Sequence, residues 1–94
     1  MEIRSYRDPE TGLPHIYDHG VTEAEAEWIL AHPGEDEACS GGSRQALGQT
    51  VDGRYLRVVY VPDEGEGGLF VVTAYPLAGK QLKAFRRRQK RRGR

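Results

Sequence analysis

The segment from Gln45 to Tyr75, QALGQTVDGRYLRVVYVPDEGEGGLFVVTAY, constrains the fold of this 94-residue chain more than any other. It contains three runs rich in β-branched and aromatic residues, ALGQT, RYLRVVYV and LFVVTAY, and such runs favour strands. The dipeptide Asp52-Gly53 between the first two runs is typical of a two-residue type I′ hairpin turn. The acidic, glycine-rich DEGEGG before the third run suits an exposed connection. We therefore predict three consecutive antiparallel strands.

A two-residue turn at Asp52-Gly53 also predicts the register of the first hairpin, because side chains alternate between the two faces of a strand. Arg57 is then opposite Gly48, and Tyr55 is opposite Thr50. The core face carries Leu47, Leu56, Val58 and Tyr60. The other face carries Ala46, Gly48, Tyr55, Arg57 and Val59.

The segment VTEAEAEWILAHP has the strongest helical pattern in the chain. Thr22 followed three residues later by Glu25 forms a capping box, and Pro33 with Gly34 ends the helix. The apolar positions recur at helical spacing, so we predict that Trp28 is a core anchor packed on the sheet. A role for Trp28 in base stacking or partner binding is the alternative.

Shorter elements are predicted on either side of these two regions. An extended piece lies near Ile3 to Tyr6, a short strand lies around Asp36 to Cys39, and a short basic helix runs from about Lys80 to Gln89. Together these elements predict an α+β domain over residues 1–85. Its three- to four-stranded antiparallel sheet carries an N-terminal helix packed on it and a short basic C-terminal helix. Residues 86–94 are expected to form a basic, disordered tail.

The net charge of zero conceals a strong separation of charge along the chain. Residues 80–94 contain nine of the fourteen Lys and Arg residues and no acidic residue, so the rest of the chain has a net charge of −9. A basic block of this kind is typical of proteins that contact phosphate backbones. The alternatives are a solvated tail and a tail that folds against the acidic body.

Several other classes of protein have little support in the sequence. Cys39 is the only cysteine, so an internal disulfide is excluded, and no apolar run has the length of a membrane span. We expect a soluble, cytoplasmic protein with no contact to a membrane. His15, His19 and His32 lack the spacing of a metal-ligand motif, and no serine or cysteine lies in a recognisable nucleophile pattern. We therefore predict no metal and no cofactor.

Arginine, tyrosine and lysine residues on the sheet and the last helix offer a site for a phosphodiester. Arginine supplies a bidentate clamp for phosphate, while tyrosine and lysine can transfer a proton. The candidates are Arg44, Arg54, Tyr55, Arg57, Tyr75, Lys80 and Lys83. The alternative is that Tyr55 and Arg57 are ordinary exposed strand residues.

The order of these segments resembles that of a known family, the BrnT-type toxins. HGVTEAEAEWILAHP resembles their "KHGVS-x-EEA" segment and following helix, and ALGQTVDGRYLRVVYV resembles their "ALG-x-x-DGR-x-L-x-VVY" hairpin. LFVVTAY and KQLKAFRR resemble their last strand and basic helix, so the resemblance covers roughly Asp18 to Arg88. Thr73 and Tyr75 match more closely a "VVT-x-Y" signature found in small uncharacterised relatives.

The resemblance implies a RelE-like fold and a role as the toxin of a type II toxin–antitoxin system. Many such toxins are metal-independent messenger-RNA endoribonucleases, in which the 2′-hydroxyl attacks the adjacent phosphate while basic side chains stabilise the developing charge. By position, Arg57, Lys80 and Lys83 match basic positions of the family. Tyr75 stands where BrnT-type proteins usually have an arginine, and by analogy with other RelE-like enzymes it would carry a proton.

The resemblance therefore implies a catalytic group of Arg57, Tyr75, Lys80 and Lys83. The residues expected to bind nucleic acid are Arg44, Arg54, Tyr55, Arg86, Arg87, Arg88, Lys90, Arg91 and Arg92. The expected partners are RNA or the ribosome, bound through the basic C-terminus, and an antitoxin protein. Two alternatives are a non-catalytic RNA- or ribosome-binding module of the same fold and a protein-interaction domain.

Overall fold

The computed structural model of the chain describes residues 3–63 and 67–92. The strands are β1 (Ile3–Ser5), β2 (Glu35–Ala38), β3 (Arg44–Gln49), β4 (Tyr55–Asp63) and β5 (Gly68–Pro76). The α-helices are α1 (Glu23–Ala31) and α2 (Gly79–Arg92), and short 3₁₀ turns occur at His15–His19 and Ser40–Gly42. The predicted α+β class is confirmed.

The described strands form one mixed sheet of five strands in the order β1-β5-β4-β3-β2. The pairs β2–β3, β3–β4 and β4–β5 are antiparallel, whereas β1 lies parallel to β5 with Ile3 opposite Leu69. The prediction of a three- to four-stranded, wholly antiparallel sheet is therefore replaced by a five-stranded mixed sheet. The difference lies at the edges, where two short segments each add a strand, as suits sheet edges.

The first hairpin has a three-residue loop rather than the predicted two-residue turn. The Gly53 amide donates to the Thr50 carbonyl at 2.9 Å, the Thr50 amide donates to the Arg54 carbonyl at 2.8 Å, and Gly53 has a φ of 93°. This is a type I turn followed by a left-handed glycine. The register therefore moves by one residue, and Leu47 rather than Gly48 lies opposite Arg57.

The shift in register exchanges the faces of β3, so the predicted distribution of its side chains is wrong. The face toward α1 carries Ala46, Gly48, Leu56, Val58 and Tyr60, and the opposite face carries Gln45, Leu47, Tyr55, Arg57 and Val59. On the first face the main core joins the sheet to Ile16, Val21, Ala26 and Ile29. On the second face Leu47, Leu77 and Phe85 form a smaller core beneath α2.

Helix α1 begins with the predicted capping box but buries a different stripe from the predicted one. The Glu25 amide donates to Thr22 Oγ1 at 3.1 Å, and the Thr22 amide donates to Glu25 Oε1 at 3.0 Å. Ala26 and Ile29 face the sheet, whereas Trp28 is 38% exposed. The prediction that Trp28 is a core anchor is wrong, because its indole lies outside the core, stacked on His32 with ring centroids 3.9 Å apart.

Helix α2 runs to Arg92, whereas a helix to about Gln89 and a disordered tail over residues 86–94 were predicted from the sequence. The body supplies partners for the last turns of the helix. Arg88 forms an ion pair with Glu35 at 2.5 Å, and both Gln89 Nε2 and Arg92 Nη1 donate to the Gly34 carbonyl at 3.2 Å. These contacts hold the C-terminal half of α2 against the start of β2. Residues 93 and 94 of the expected tail lie outside the described residues.

Neither of the helices in the described ranges is both long and apolar enough to cross a membrane.

Candidate nucleic-acid interface

Helix α2 lies across one face of the sheet, so concave surfaces form along both of its flanks. One flank, with Gln81, Ala84 and Arg88, faces Arg57 on β4. The other flank, with Lys83, Arg86 and Lys90, faces the ends of α1 and β3. We call the first surface the Arg57 cavity and the second the basic groove.

The Arg57 cavity has a volume of about 250 Å³. Its wall is formed by Glu37, Gln45, Leu47, Arg57, Leu77, Gln81, Ala84 and Arg88. The Arg57 Nε is buried and has no hydrogen-bond acceptor, and no ion pair joins Arg57 to another residue in the described ranges. An unsatisfied buried donor costs about 1–3 kcal/mol, and no hydrogen bond or ion pair engages the Arg57 guanidinium within the described residues.

Arg57 and Tyr75 face each other on neighbouring strands and point to the same side of the sheet. The Arg57 guanidinium carbon lies 5.5 Å from the centroid of the Tyr75 ring, which is cation–π geometry. Both side chains are half-buried, on the face of the sheet opposite α1. The two residues predicted to form the centre of the site are therefore adjacent.

The Tyr75 ring also belongs to a series of aromatic contacts that the sequence analysis did not anticipate. The His19 ring meets it edge-on at a centroid separation of 6.0 Å. His15 follows at 5.1 Å from His19, and Tyr6 lies 6.1 Å beyond His15. From the sequence the two histidines were considered only as metal ligands, because their proximity to Tyr75 arises when the His15–His19 turn packs on β5.

The basic groove is larger, at about 750 Å³. It is lined by His32, Gly34, Gly48, Gln49, Tyr55, Lys83, Phe85, Arg86, Arg87, Gln89 and Lys90. No ion pair joins any of its four Lys and Arg residues to a carboxylate in the described part of the chain. The guanidinium carbon of Arg86 lies 5.7 Å from the Tyr55 ring centroid. The groove therefore combines uncompensated positive charge with an aromatic ring.

Three of the arginines predicted to bind nucleic acid are instead paired with carboxylates of the chain. Arg44 lies 2.9 Å from Asp36 and Arg54 lies 2.7 Å from Glu25, in addition to the pair formed by Arg88. Asp36 also accepts the hydroxyl of Tyr60. Burial raises the pKa of Tyr60, and the hydrogen bond to Asp36 raises it further. These arginines and Tyr60 stabilise the fold. The positive charge of the three arginines is largely compensated by their carboxylate partners.

The remaining predicted residues are distributed along α2. Lys80 is exposed in the first turn of the helix, and Lys83 lines the basic groove rather than the Arg57 cavity. Arg91 is exposed near the end of the helix, beside Arg92 with its bond to Gly34. Of the four residues predicted to be catalytic, the structure brings Arg57 and Tyr75 into contact. None of Tyr75, Lys80 and Lys83 lines the cavity that contains Arg57.

Comparison with known proteins yields no matching family model, no matching curated protein and no matching solved structure. Across residues 3–63 and 67–92, no group of three or more His, Cys, Asp or Glu residues is arranged to hold a metal ion.

Proposed function

We propose that the protein is a RelE/BrnT-like toxin of a type II toxin–antitoxin system, acting as a metal-independent RNA endoribonuclease. The observation that carries this proposal is the Arg57–Tyr75 pair. Arg57 is a half-buried guanidinium with an unsatisfied donor, and it lies against a phenol on the adjacent strand. A guanidinium with unused donors stabilises the charge that develops on a phosphate under attack.

In the proposed reaction, the ribose 2′-hydroxyl loses its proton and its oxygen attacks the adjacent phosphorus. The bond from phosphorus to the 5′-oxygen then breaks, which leaves a 2′,3′-cyclic phosphate and a 5′-hydroxyl. Arg57 stabilises the pentavalent intermediate through charge-assisted hydrogen bonds, and Tyr75 donates a proton to the departing 5′-oxygen. The basic groove on the other flank of α2 binds the continuing RNA backbone.

Induced expression tests the proposal in cells. We expect the wild-type protein to arrest growth and to fragment messenger RNA, and we expect Arg57→Ala and Tyr75→Phe to relieve both effects. Arg7→Ala is the matched control, because Arg7 is exposed and lies 4.0 Å from Glu23, away from α2. A wild-type protein that leaves growth and RNA integrity unchanged would contradict the enzymatic proposal.

A non-catalytic RNA- or ribosome-binding module is the second candidate. One observation favours it, since Lys83 lies in the basic groove with Arg86 and Lys90 rather than in the Arg57 cavity. Under this alternative the groove binds RNA and no phosphodiester is broken. Tight binding to a labelled RNA that stays intact for hours at saturating protein would favour the binding module over the enzyme.

A further inference from the structure

We infer that His19 is a further catalytic residue, the general base that removes the proton from the RNA 2′-hydroxyl. The inference rests on the proposed ribonuclease function and adds a component that the Arg57–Tyr75 pair lacks. A guanidinium is a hydrogen-bond donor with no lone pair to accept a proton, and Tyr75 is already assigned as the proton donor. Neither group is therefore suited to accept a proton at pH 7, whereas an imidazole is.

The position of His19 supports this role. Its ring meets Tyr75 edge-on at 6.0 Å, and the Arg57 guanidinium carbon lies 5.5 Å from the same Tyr75 ring. The Tyr75 ring therefore contacts the side chains of both His19 and Arg57. His19 is exposed to solvent, so a substrate can approach it without a rearrangement of the core.

The other two histidines have their Nδ1 atoms near oxygen atoms of the chain, unlike His19. His15 Nδ1 lies 3.7 Å from Asp18 Oδ2, and His32 Nδ1 lies 3.2 Å from the Trp28 carbonyl. Within the described residues no hydrogen bond or ion pair engages the His19 side chain, and its ring contacts are with His15 and Tyr75. Both of its ring nitrogens are available for proton transfer.

The backbone around His19 is firmly held, which general-base catalysis requires for accurate positioning. Ile16 in the same turn is fully buried, and the Val21 amide donates to its carbonyl at 3.1 Å. Gly20 follows His19 with a left-handed φ of 73°. Arg54 Nη1 donates to the Gly20 carbonyl at 3.0 Å, so the hairpin loop fixes the end of the turn.

The proposed steps balance in protons and bonds. The imidazole of His19 takes the 2′-hydroxyl proton as the O2′–P bond forms. As the P–O5′ bond breaks, the Tyr75 hydroxyl gives its proton to the 5′-oxygen. Water then carries the proton from the imidazolium to the phenolate, so both side chains return to their starting states.

The test measures cleavage of a labelled RNA oligonucleotide under single-turnover conditions by the wild type, His19→Gln and His15→Gln. We expect the rate for His19→Gln to fall by about 100-fold or more, and the rate for His15→Gln to change by less than about twofold. We also expect added imidazole to restore part of the activity of His19→Ala. The melting temperatures should coincide, because His19 is exposed.

A pH–rate profile separates acid–base catalysis from a structural role. The wild-type rate should fall on the acid side as the imidazole is protonated, and His19→Gln should lack this limb. The rings of His15 and Tyr75 contact His19. The nearby charged groups are Asp18, which pairs with His15, Arg54, which binds the Gly20 carbonyl, and Arg57, which lies against Tyr75. His15→Gln should therefore retain the acid limb.

The outcomes distinguish this inference from the function on which it rests. If the wild type cleaves RNA and His19→Gln cleaves it equally fast, the assignment of His19 is overturned and the ribonuclease proposal stands. If the wild type leaves the all-RNA substrate intact, both are overturned. Cleavage of a substrate with a 2′-deoxy sugar at the scissile position would also overturn both, because the mechanism requires the 2′-hydroxyl.

Discussion

At the scale of single residues, Arg57 shows a conflict between stability and the proposed function. Its Nε is buried without an acceptor, and its main contact is the Tyr75 ring. An unsatisfied buried donor destabilises the folded state, and the cation–π contact with Tyr75 offsets part of that cost. Under the proposed function, recognition of an anionic ligand accounts for the rest, since active sites commonly lower stability in this way.

We therefore predict that Arg57→Met does not destabilise the protein, and that it raises the free energy of unfolding by about 1 kcal/mol, because it removes the unsatisfied donor and keeps the volume. Urea denaturation of both proteins measures the difference. Arg54→Met is the matched control and should destabilise by about 1 kcal/mol, since Arg54 pairs with Glu25 at 2.7 Å. A loss of more than about 1 kcal/mol for Arg57→Met would indicate an acceptor for Nε.

A second prediction at this scale concerns Gly34, where α2 approaches the body. A Cβ at this position would lie 2.8 Å from Phe85 Cζ and 3.0 Å from Gln89 Oε1. Because Phe85 is 2% exposed and cannot move away, we expect Gly34→Ala to lower the free energy of unfolding by about 1–3 kcal/mol. Denaturation monitored by circular dichroism measures the loss.

The double variant Gly34→Ala with Phe85→Leu tests the cause. Replacing the phenyl ring removes the Cζ atom that the new methyl would meet, so Gly34→Ala should cost clearly less in the Phe85→Leu background than in the wild type. If the free-energy costs of Gly34→Ala and Phe85→Leu were additive in the double variant, the two positions would not be in contact.

At the scale of elements, the sequence predicted the elements better than their arrangement. The strand propensities around Arg54 and the capping box at Thr22 are local signals, and both elements form. The hairpin turn was placed at Asp52-Gly53, but a glycine with positive φ serves a two-residue loop and a three-residue loop alike. The three-residue loop shifts the register by one residue from the predicted one. Every β3 side chain therefore lies on the face opposite to the predicted face.

Other errors at this scale arose from tertiary contacts that a local pattern does not contain. β1 pairs in parallel with β5, and its partners Ile3 and Leu69 lie far apart in the chain. Trp28 was predicted to be buried because it lies at helical spacing with other apolar residues, but the helix turns Ala26 and Ile29 toward the sheet instead. The candidate site also depends in part on tertiary contacts. Arg57 and Tyr75 are adjacent because they lie on neighbouring strands. The contact of His19 with Tyr75 depends on how the His15–His19 turn packs.

The start of α1 gives a prediction for pH dependence. Burial alone would raise the pKa of Glu25, but hydrogen bonds from Thr22 and Arg54 outweigh it and leave the pKa below its ordinary value. A lowered pKa in the folded state contributes stability that is present above the ordinary pKa and is lost as the pH falls through the folded value. Glu25 should therefore stabilise the protein at pH 7 and cease to do so at strongly acidic pH.

Comparison of Glu25→Gln with the wild type measures this contribution, because glutamine can retain the backbone cap but lacks the charge. We expect Glu25→Gln to be less stable by about 0.5–1 kcal/mol at pH 7, and we expect the two denaturation curves to converge at strongly acidic pH. Glu27→Gln is the control, since Glu27 is exposed on the same helix. A difference that stays constant down to strongly acidic pH would exclude the charge of Glu25 as its cause.

At the scale of the whole molecule, the opposite charges of the chain are only partly neutralised by folding. Arg44, Arg54 and Arg88 each pair with an acidic residue of the body, so much of the predicted cationic surface is compensated. Four cations that form no ion pair within the described residues, Lys83, Arg86, Arg87 and Lys90, line the basic groove, where α2 faces the ends of α1 and β3. The position of an arginine in the fold, rather than its presence in a basic run, therefore decides whether its charge is available to an anionic ligand.

The difference between the paired arginines and the unpaired cations of the basic groove predicts the salt dependence of RNA binding. For single-stranded nucleic acid, each phosphate contact contributes about 0.7 to the slope of log K against log salt concentration. Neutralising two groove residues in the double variant Lys83→Gln/Arg86→Gln should therefore reduce the slope by about 1.4. Titrations of a labelled RNA at several salt concentrations give both slopes.

The matched control is the double variant Arg7→Gln/Arg44→Gln, which changes the net charge of the protein by the same amount. Arg7 lies away from α2, and Arg44 is already paired with Asp36 at 2.9 Å, so their loss removes no phosphate contact. If both double variants reduced the slope equally, RNA would respond to total charge rather than to the groove. If only the groove variant reduced the slope, the RNA backbone would lie beside α2, because counterions are released only where a phosphate contacts an unpaired cation.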